Sequence, residues 1–383
     1  MGVRIVFACG GSAGHVNPAL AVAEEIKAMT PDSKFLFVGA GRSIENRLIP
    51  AEGYELVNLR VSGLRRSFSP LDAARNLAAV RELAAALVEA ERLLRDFKPD
   101  AVLGTGGYVC YPVLKRARRL GIPTLIHEPN ALPGLATRML SGNVDRVLTA
   151  FPGDGRRRGR TENVTVVGTP VRGGFGAPPA ARERGAPDAR GGKPLLVSFW
   201  GSLGAERMNA VMAEFIGVNT RERAFRHIHA TGGGEAGRDK LLGRLRELGV
   251  ERLPDGVEVR AYIDDMASQM ASADLVLCRA GASTLAELAL SAAPALLVPS
   301  PYVPNNHQEA NARSVSASGA AEVITERECT ADALYGKVVS LLNDPDALRR
   351  MSAAQRARAA PDAARKIAEI IISLCPAGRT ENG

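Results

Sequence analysis

Aromatic residues make up only 4% of this 383-residue chain, with a single Trp, and they do not interleave with its basic clusters. Base stacking on aromatic side chains is the usual platform for single-stranded nucleic acid, so no nucleic acid is expected as a partner. Cysteine is sparse as well. Cys9, Cys110, Cys278, Cys329 and Cys375 stand apart, with no CxxC and no His-paired spacing. That pattern offers neither a disulfide framework nor a zinc site and fits a reducing cytoplasm. No segment approaches the run of about 18 apolar residues that a bilayer span needs. The short apolar run of MGVRIVFACGG leads straight into a glycine turn, unlike a secretory signal. The dinucleotide fingerprint GxGxxG is missing, because Cys9 stands at its first glycine position, and no GxxxxGK[ST] occurs. Dinucleotide and P-loop readings both weaken.

What is present is a length that suits two domains, each with its own core, and a formal net charge of +8. That excess suits an anionic membrane face or a phosphorylated substrate. A Gly/Pro/Arg-rich stretch without apolar periodicity, 173–193, reads as a linker. It divides an N-terminal domain, 1–172, from a C-terminal one, 194–352, followed by a terminal helix over 353–375. Short apolar strands alternate with helical patterns in both halves, which predicts an α/β chain with two parallel sheets.

The stretch from Ala273 to Ala312 organises the rest. Leu275–Cys278 reads as a buried strand, and Arg279-Ala280-Gly281-Ala282-Ser283-Thr284 turns into a helix with Ser and Thr where an N-cap belongs. Glu287 follows one turn on from Ser283. A second strand, Ala295–Val298, ends in a loop that delivers Asn305, Asn306, His307 and Gln308. The helix start offers free N–H groups to a diphosphate, and the carboxylate can accept both hydroxyls of a ribose. A capped helix in an ordinary βαβ unit accounts for the helix. It does not account for four polar residues after the second strand.

The first half carries two glycine turns after strands. Val3–Ala8 precedes Cys9-Gly10-Gly11-Ser12-Ala13-Gly14-His15, with a helix expected from about Ala19. Ala101–Gly104 precedes Thr105-Gly106-Gly107-Tyr108. Glycine lets a backbone approach a ligand closely, and a His at the mouth of such a turn can act as a base near neutral pH. Arg65, Arg66, Phe68, Leu71, Arg75 and Leu77 mix cationic and apolar groups as a membrane-facing patch would, although a solvated basic edge accounts for them equally. Arg156–Arg158 and Arg160 read as a solvated loop. His227 and His229 alternate on a strand without a third ligand, so core positions are expected. The Asp344-Pro345-Asp346 triplet reads as a helix cap rather than a metal motif. No metal site is expected.

Taken together, GGSAGHVNPALAVAEEI, GTGGYVCYP, HEPNALPG, GTPVR, GSLGA, YIDDM, RAGASTLAELA and NNHQEANA, in this order, resemble the bacterial glycosyltransferases that make lipid II, the MurG family. The resemblance covers nearly the whole chain, and the motifs are specific as a set, not singly. It implies a GT-B fold, two Rossmann-like domains facing a cleft, with the terminal helix packing back on the N-terminal domain. It implies inverting transfer of N-acetylglucosamine from UDP-GlcNAc to the MurNAc 4-hydroxyl of lipid I, without a cofactor or metal. It also implies peripheral work at the cytoplasmic face of the membrane, on an anionic surface and in reach of other cell-wall synthesis proteins.

Carried onto this sequence, the resemblance places uracil against the backbone at Ile263 and the ribose on Glu287. Ser202 and Arg172 meet the diphosphate, with the helix start Ala282, Ser283, Thr284, Leu285 and Ala286. Gln308, Asn130 and the turn Ser12, Ala13, Gly14 contact the sugar. Thr105, Gly106, Gly107 and Tyr108 face the acceptor diphosphate, and His15 is the expected general base. Two departures stand out: Ala13 adds a methyl where close approach is expected, and Trp200 stands where the family often has glycine. Both are expected to tighten the cleft. A UDP-GlcNAc 2-epimerase of similar architecture is the nearest rival reading, and a non-catalytic nucleotide-sugar-binding subunit is another.

Overall fold

A computed structural model describes residues 2–41, 43–62, 70–152, 163–172, 174–175 and 192–376. The expected membrane patch at Arg65, Arg66 and Phe68, the basic loop at Arg156–Arg160 and most of the 173–193 linker lie outside the described residues. So do the side chains of Leu71, Arg75 and Leu77.

Two compact units divide the chain: residues 1–172 with 362–383, and residues 173–361. In the first, β1 (Arg4–Cys9), β2 (Lys34–Gly39), β3 (Glu55–Asn58), β4 (Ala101–Gly106), β5 (Thr124–Glu128), β6 (Arg146–Thr149) and β7 (Val164–Val166) form a sheet ordered β3-β2-β1-β4-β5-β6-β7. Every pairing in it is parallel. Strands buried on both faces read as continuous apolar runs rather than alternations, as RIVFAC and KFLFVG do. The covering helices are α1 (Ala13–Met29), α2 (Ser43–Ala51), α3 (Pro70–Phe97), α4 (Cys110–Arg119) and α5 (Leu135–Leu140).

The second unit repeats the plan. Its strands β8 (Leu195–Phe199), β9 (Arg226–Ala230), β10 (Val257–Arg260), β11 (Leu275–Cys278), β12 (Ala295–Leu297) and β13 (Ala321–Val323) are ordered β10-β9-β8-β11-β12-β13, again all parallel. Around them lie α6 (Glu206–Glu222), α7 (Gly234–Glu247), α8 (Met266–Ser272), α9 (Ala282–Leu290), α10 (His307–Ala317), α11 (Ala331–Leu342) and α12 (Pro345–Arg358). The Asp344 side chain accepts from Ala347 N and caps α12, as the cap reading of that triplet requires.

The last helix, α13 (Ala363–Leu374), returns to the first unit. Its Ile367, Ala368 and Ile371 join the core formed by β1 and by Val16, Leu20, Ala23 and Ile26 of α1. Each buried Ile contributes about 1.5–3 kcal/mol through surface removed from water. The expected single helix over 353–375 is corrected here. Residues 353–358 belong to α12, which stays with the second unit: Ser352 Oγ donates to Ala292 O at 2.7 Å and Gln355 Nε2 to Ala320 O at 3.1 Å. Ala359 is extended, and Pro361 disfavours helical backbone just ahead of it, so the chain changes units between two helices.

Both sheets reverse direction of growth once, between β1 and β4 and between β8 and β11. In open α/β sheets, ligands bind beyond the strand carboxyl ends at such switch points. The turns there are the two glycine turns of the first half, GSLGA, and RAGAS.

Candidate functional site

At the first unit's switch point the two glycine turns lock onto each other. Gly10 N donates to Gly106 O at 3.3 Å. Gly106 and Gly107 take φ values of +132° and +92°, which disfavour side chains. A Cβ on Gly106 would lie 2.3 Å from the His15 ring, and one on Gly107 would lie 2.5 Å from Gly10 O. The glycines therefore exist to admit the imidazole and the neighbouring turn. His15 is held at two points: its Nδ1 is 2.9 Å from Gly10 O, and its carbonyl accepts from Thr105 Oγ1 at 2.7 Å. A carbonyl oxygen only accepts, so Nδ1 carries the proton and Nε2 is the basic nitrogen.

The helix expected from about Ala19 begins at Ala13, with Pro18 inside it. Proline removes the bond to the carbonyl four residues back. The turn survives because Ser12 O accepts from both His15 N and Val16 N. Ser12 and Gly14 thus lie at the helix start, and the Ala13 methyl occupies its first position.

Asn130 is positioned by Glu128, which is buried. One carboxylate oxygen of Glu128 accepts from Asn130 N and Nδ2, both at 3.1 Å, and the other from Gly134 N at 2.7 Å. His127, whose pKa is lowered by burial, bonds Gly168 O through Nε2 at 2.9 Å and is a core residue. Burial pushes the Cys110 thiol up to about 12, so it is no nucleophile at neutral pH. Arg172 is not left open for an anion. Its guanidinium pairs with Glu24 at 2.5 Å and Glu52 at 2.9 Å, a match that keeps its pKa raised although burial opposes it. A diphosphate would have to displace those carboxylates.

In the second unit, α9 begins at Ala282 with extended Gly281 as its N-cap. The expected capping by Ser283 and Thr284 is corrected: both lie within the first turn, and Ser283 Oγ is buried without a partner. Leu285 N already donates to Gly281 O, so the N–H groups of Ala282, Ser283 and Thr284 are the outward donors of this helix. Glu287 lies one turn further in, and desolvation raises its carboxyl to about 7. Ala286, on the same turn, is half-buried and Leu285 is core.

Beneath the turn sits a set of supports that sequence reading missed. Buried Arg279 donates to Val298 O at 3.1 Å and pairs with buried Glu326 at 2.7 Å. Asn311 Nδ2 donates to Ala280 O at 3.2 Å. Asn311 lies in the polar run after β12, and position alone could have marked it; nothing local marks Glu326. Trp200, expected to tighten the ligand side, is instead 4% exposed. It lies under Arg279, whose guanidinium is 5.5 Å from the ring centroid, a favourable cation–π contact.

Ser202 is exposed on the β8–α6 turn, which Gly233 N holds by donating to Ser202 O at 3.0 Å. Gln308 lies in the first turn of α10, its Oε1 accepting from Ser300 N at 2.9 Å, so its NH2 group points away from that contact. Ile263 is buried, so only its backbone is available to a base. His227 and His229 are core residues bridged by Ser198 Oγ at 2.7 and 2.8 Å. Among the described residues, no group of three His, Cys, Asp or Glu side chains is arranged to hold a metal ion. Turns at the switch points of two parallel sheets, one offering an imidazole and the other a helix start with a half-buried carboxylate, are the architecture of the GT-B class.

Comparison with known proteins narrows the class. Residues 5–149 match the glycosyltransferase family 28 N-terminal domain and residues 195–367 its C-terminal domain. A protein of Acetivibrio thermocellus named UDP-N-acetylglucosamine–N-acetylmuramyl-(pentapeptide) pyrophosphoryl-undecaprenol N-acetylglucosamine transferase is 41% identical over 96% of this chain and 97% of its own length. One of the same name from Desulforudis audaxviator is 40% identical over 98% of this chain and 100% of its own. The crystal structure of Acinetobacter baumannii MurG superposes with a TM-score of 0.74 at 26% identity, covering 97% of this chain and 99% of that one. The chain belongs to this family of N-acetylglucosamine transferases.

Proposed function

We propose that this chain moves N-acetylglucosamine from UDP-GlcNAc to the MurNAc 4-hydroxyl of lipid I, giving lipid II with inversion at the anomeric carbon. One observation carries the reading: end-to-end identity of about two residues in five with transferases of that name. The local geometry supports the division of labour. His15 Nε2 takes the acceptor hydroxyl proton as the new C1–O bond forms. The C1–O bond to the β-phosphate breaks, and UDP leaves with its electron pair. The N–H groups of Ala282, Ser283 and Thr284 meet the developing negative charge. Glu287 holds the ribose, Ile263 N or O the uracil, and Ser202 the diphosphate.

Gln308 and Asn130, with the Ser12–Gly14 turn, take the sugar, and Thr105–Tyr108 takes the acceptor diphosphate. Arg172 reaches the donor only by leaving Glu24 and Glu52. No metal takes part in this reading. The chain acts peripherally, on the anionic cytoplasmic membrane face and beside other cell-wall synthesis proteins. Among the described residues no helix is long and apolar enough to cross a membrane.

Purified protein incubated with UDP-GlcNAc and a lipid I analogue should release UDP only when the acceptor is present. Release of N-acetylmannosamine without acceptor would replace this reading with an epimerase, and donor binding without turnover would replace it with a binding subunit.

A further inference from the structure

Glu45 belongs to no motif in the sequence reading, yet it touches the turn that carries His15. It lies in the first turn of α2 and is 0% exposed. Its Oε2 accepts from Gly11 N at 3.3 Å and its Oε1 from Ala40 N at 3.2 Å. A carboxylate buried this completely is costly unless hydrogen bonds hold it, and a purely structural role would be met by an apolar side chain of similar volume. Here the carboxylate ties the end of β2 to the β1–α1 turn. Gly11 takes φ +86°, which aims its N–H at Glu45. The adjacent residue, Gly10, presents the carbonyl that the His15 imidazole binds at 2.9 Å. A Cβ on Gly10 would lie 3.1 Å from both Glu45 Oε1 and Ala40 N, so little room is left for a side chain between that backbone and the carboxylate.

We propose that Glu45 is a positioning residue: through the Gly10–Gly11 turn it fixes the His15 ring and the tautomer with its proton on Nδ1. The chain of contacts is Glu45 to Gly11 N, then across the same peptide group to Gly10 O, then His15 Nδ1. The carboxyl group thus takes one N–H of the glycine turn and one from the end of β2. The inference rests on the reading of His15 as general base.

A double-mutant cycle tests it. His15→Ala should lower kcat by about 100-fold or more, the usual share of a general base. Glu45→Gln should lower kcat roughly ten-fold, since about 1 Å of misplacement can be worth 100-fold, with the UDP-GlcNAc KM unchanged. In the His15→Ala background, Glu45→Gln should change kcat by less than about two-fold, because a positioning residue has nothing left to position. Full activity of His15→Ala would remove the base reading and this inference with it. If His15→Ala is impaired but the two losses multiply, the base reading stands and the role of Glu45 falls. Should Glu45→Gln fail to fold, Gly10→Ala decides. Its methyl presses on the carboxylate from the turn side, and the same dependence on His15 is expected; a multiplicative loss would overturn the proposal.

Discussion

Burial acts on Glu287 and on the His227–His229 pair in opposite directions, because the charged form is an anion in one and a cation in the other. Desolvation raises Glu287 to about 7, so near neutrality it exchanges between a form that accepts two hydroxyls and one that accepts fewer. If the carboxylate holds the ribose, the donor KM should rise as pH falls below about 7, by up to ten-fold per unit. Glu287→Gln should raise the KM and flatten that dependence. A pH-independent donor KM in the native protein would remove the ribose assignment. For the histidines, burial and then mutual repulsion depress His227 well below its usual value, and burial takes His229 to about 3. Both are neutral when folded, while the unfolded chain binds protons near pH 6.5. Their contribution to stability is therefore complete above pH 6.5 and is lost as pH falls toward the folded values. Between about pH 7.5 and pH 5.5 the second unit should lose roughly 2–3 kcal/mol from these two groups. Chemical unfolding at several pH values measures this, and a drop no smaller in His227→Phe would contradict it. Glu287 was legible as a carboxylate one turn into the helix that follows a βα turn. The Ser198 bridge was not, since it joins residues of neighbouring strands.

At the scale of elements, α13 shows how a terminal helix earns its place. Ile367 and Ile371 lie one turn apart and bury against α1, and removing either leaves a void in a packed core. Ile371→Ala should destabilise the first unit by about 2–5 kcal/mol, lowering the thermal midpoint. An unchanged midpoint would mean that the helix is not docked in solution. The apolar spacing of α13 is legible in the sequence, but its start is not: the helix expected over 353–375 spans Pro361, whereas α13 begins at Ala363. The reverse holds at α1, where the helix expected from about Ala19 begins at Ala13 and contains Pro18. Hydrogen bonds from Thr105 and to Ser12, one of them ninety residues away in the chain, hold that helix through its proline.

Across the whole molecule, two parallel sheets place all four turns named from sequence at their switch points, and family 28 domain models cover both. The proposed chemistry assigns the leaving charge to peptide N–H groups rather than to a cation. Transfer activity should therefore persist within about two-fold in excess chelator, since preorganised donors can supply that stabilisation. Loss of activity that a divalent ion restores would overturn the metal-free proposal.

The sequence by itself determined the α/β plan, the two sheets and the turns, because apolar runs, glycine turns and helix periods are local signals set by neighbours within a few residues, while the GT-B class followed from resemblance to a known family. It also marked His15, Glu287 and Gln308, whose chemistry is legible in position after a strand. Only the tertiary structure decided what supports them. Glu45 beneath the first turn and Arg279 with Glu326 beneath α9 act across gaps of tens of residues. It likewise turned Trp200 into the core and closed Arg172 onto two carboxylates. A buried charge takes its partner from whichever element packs against it, and spacing along the chain carries no record of that packing.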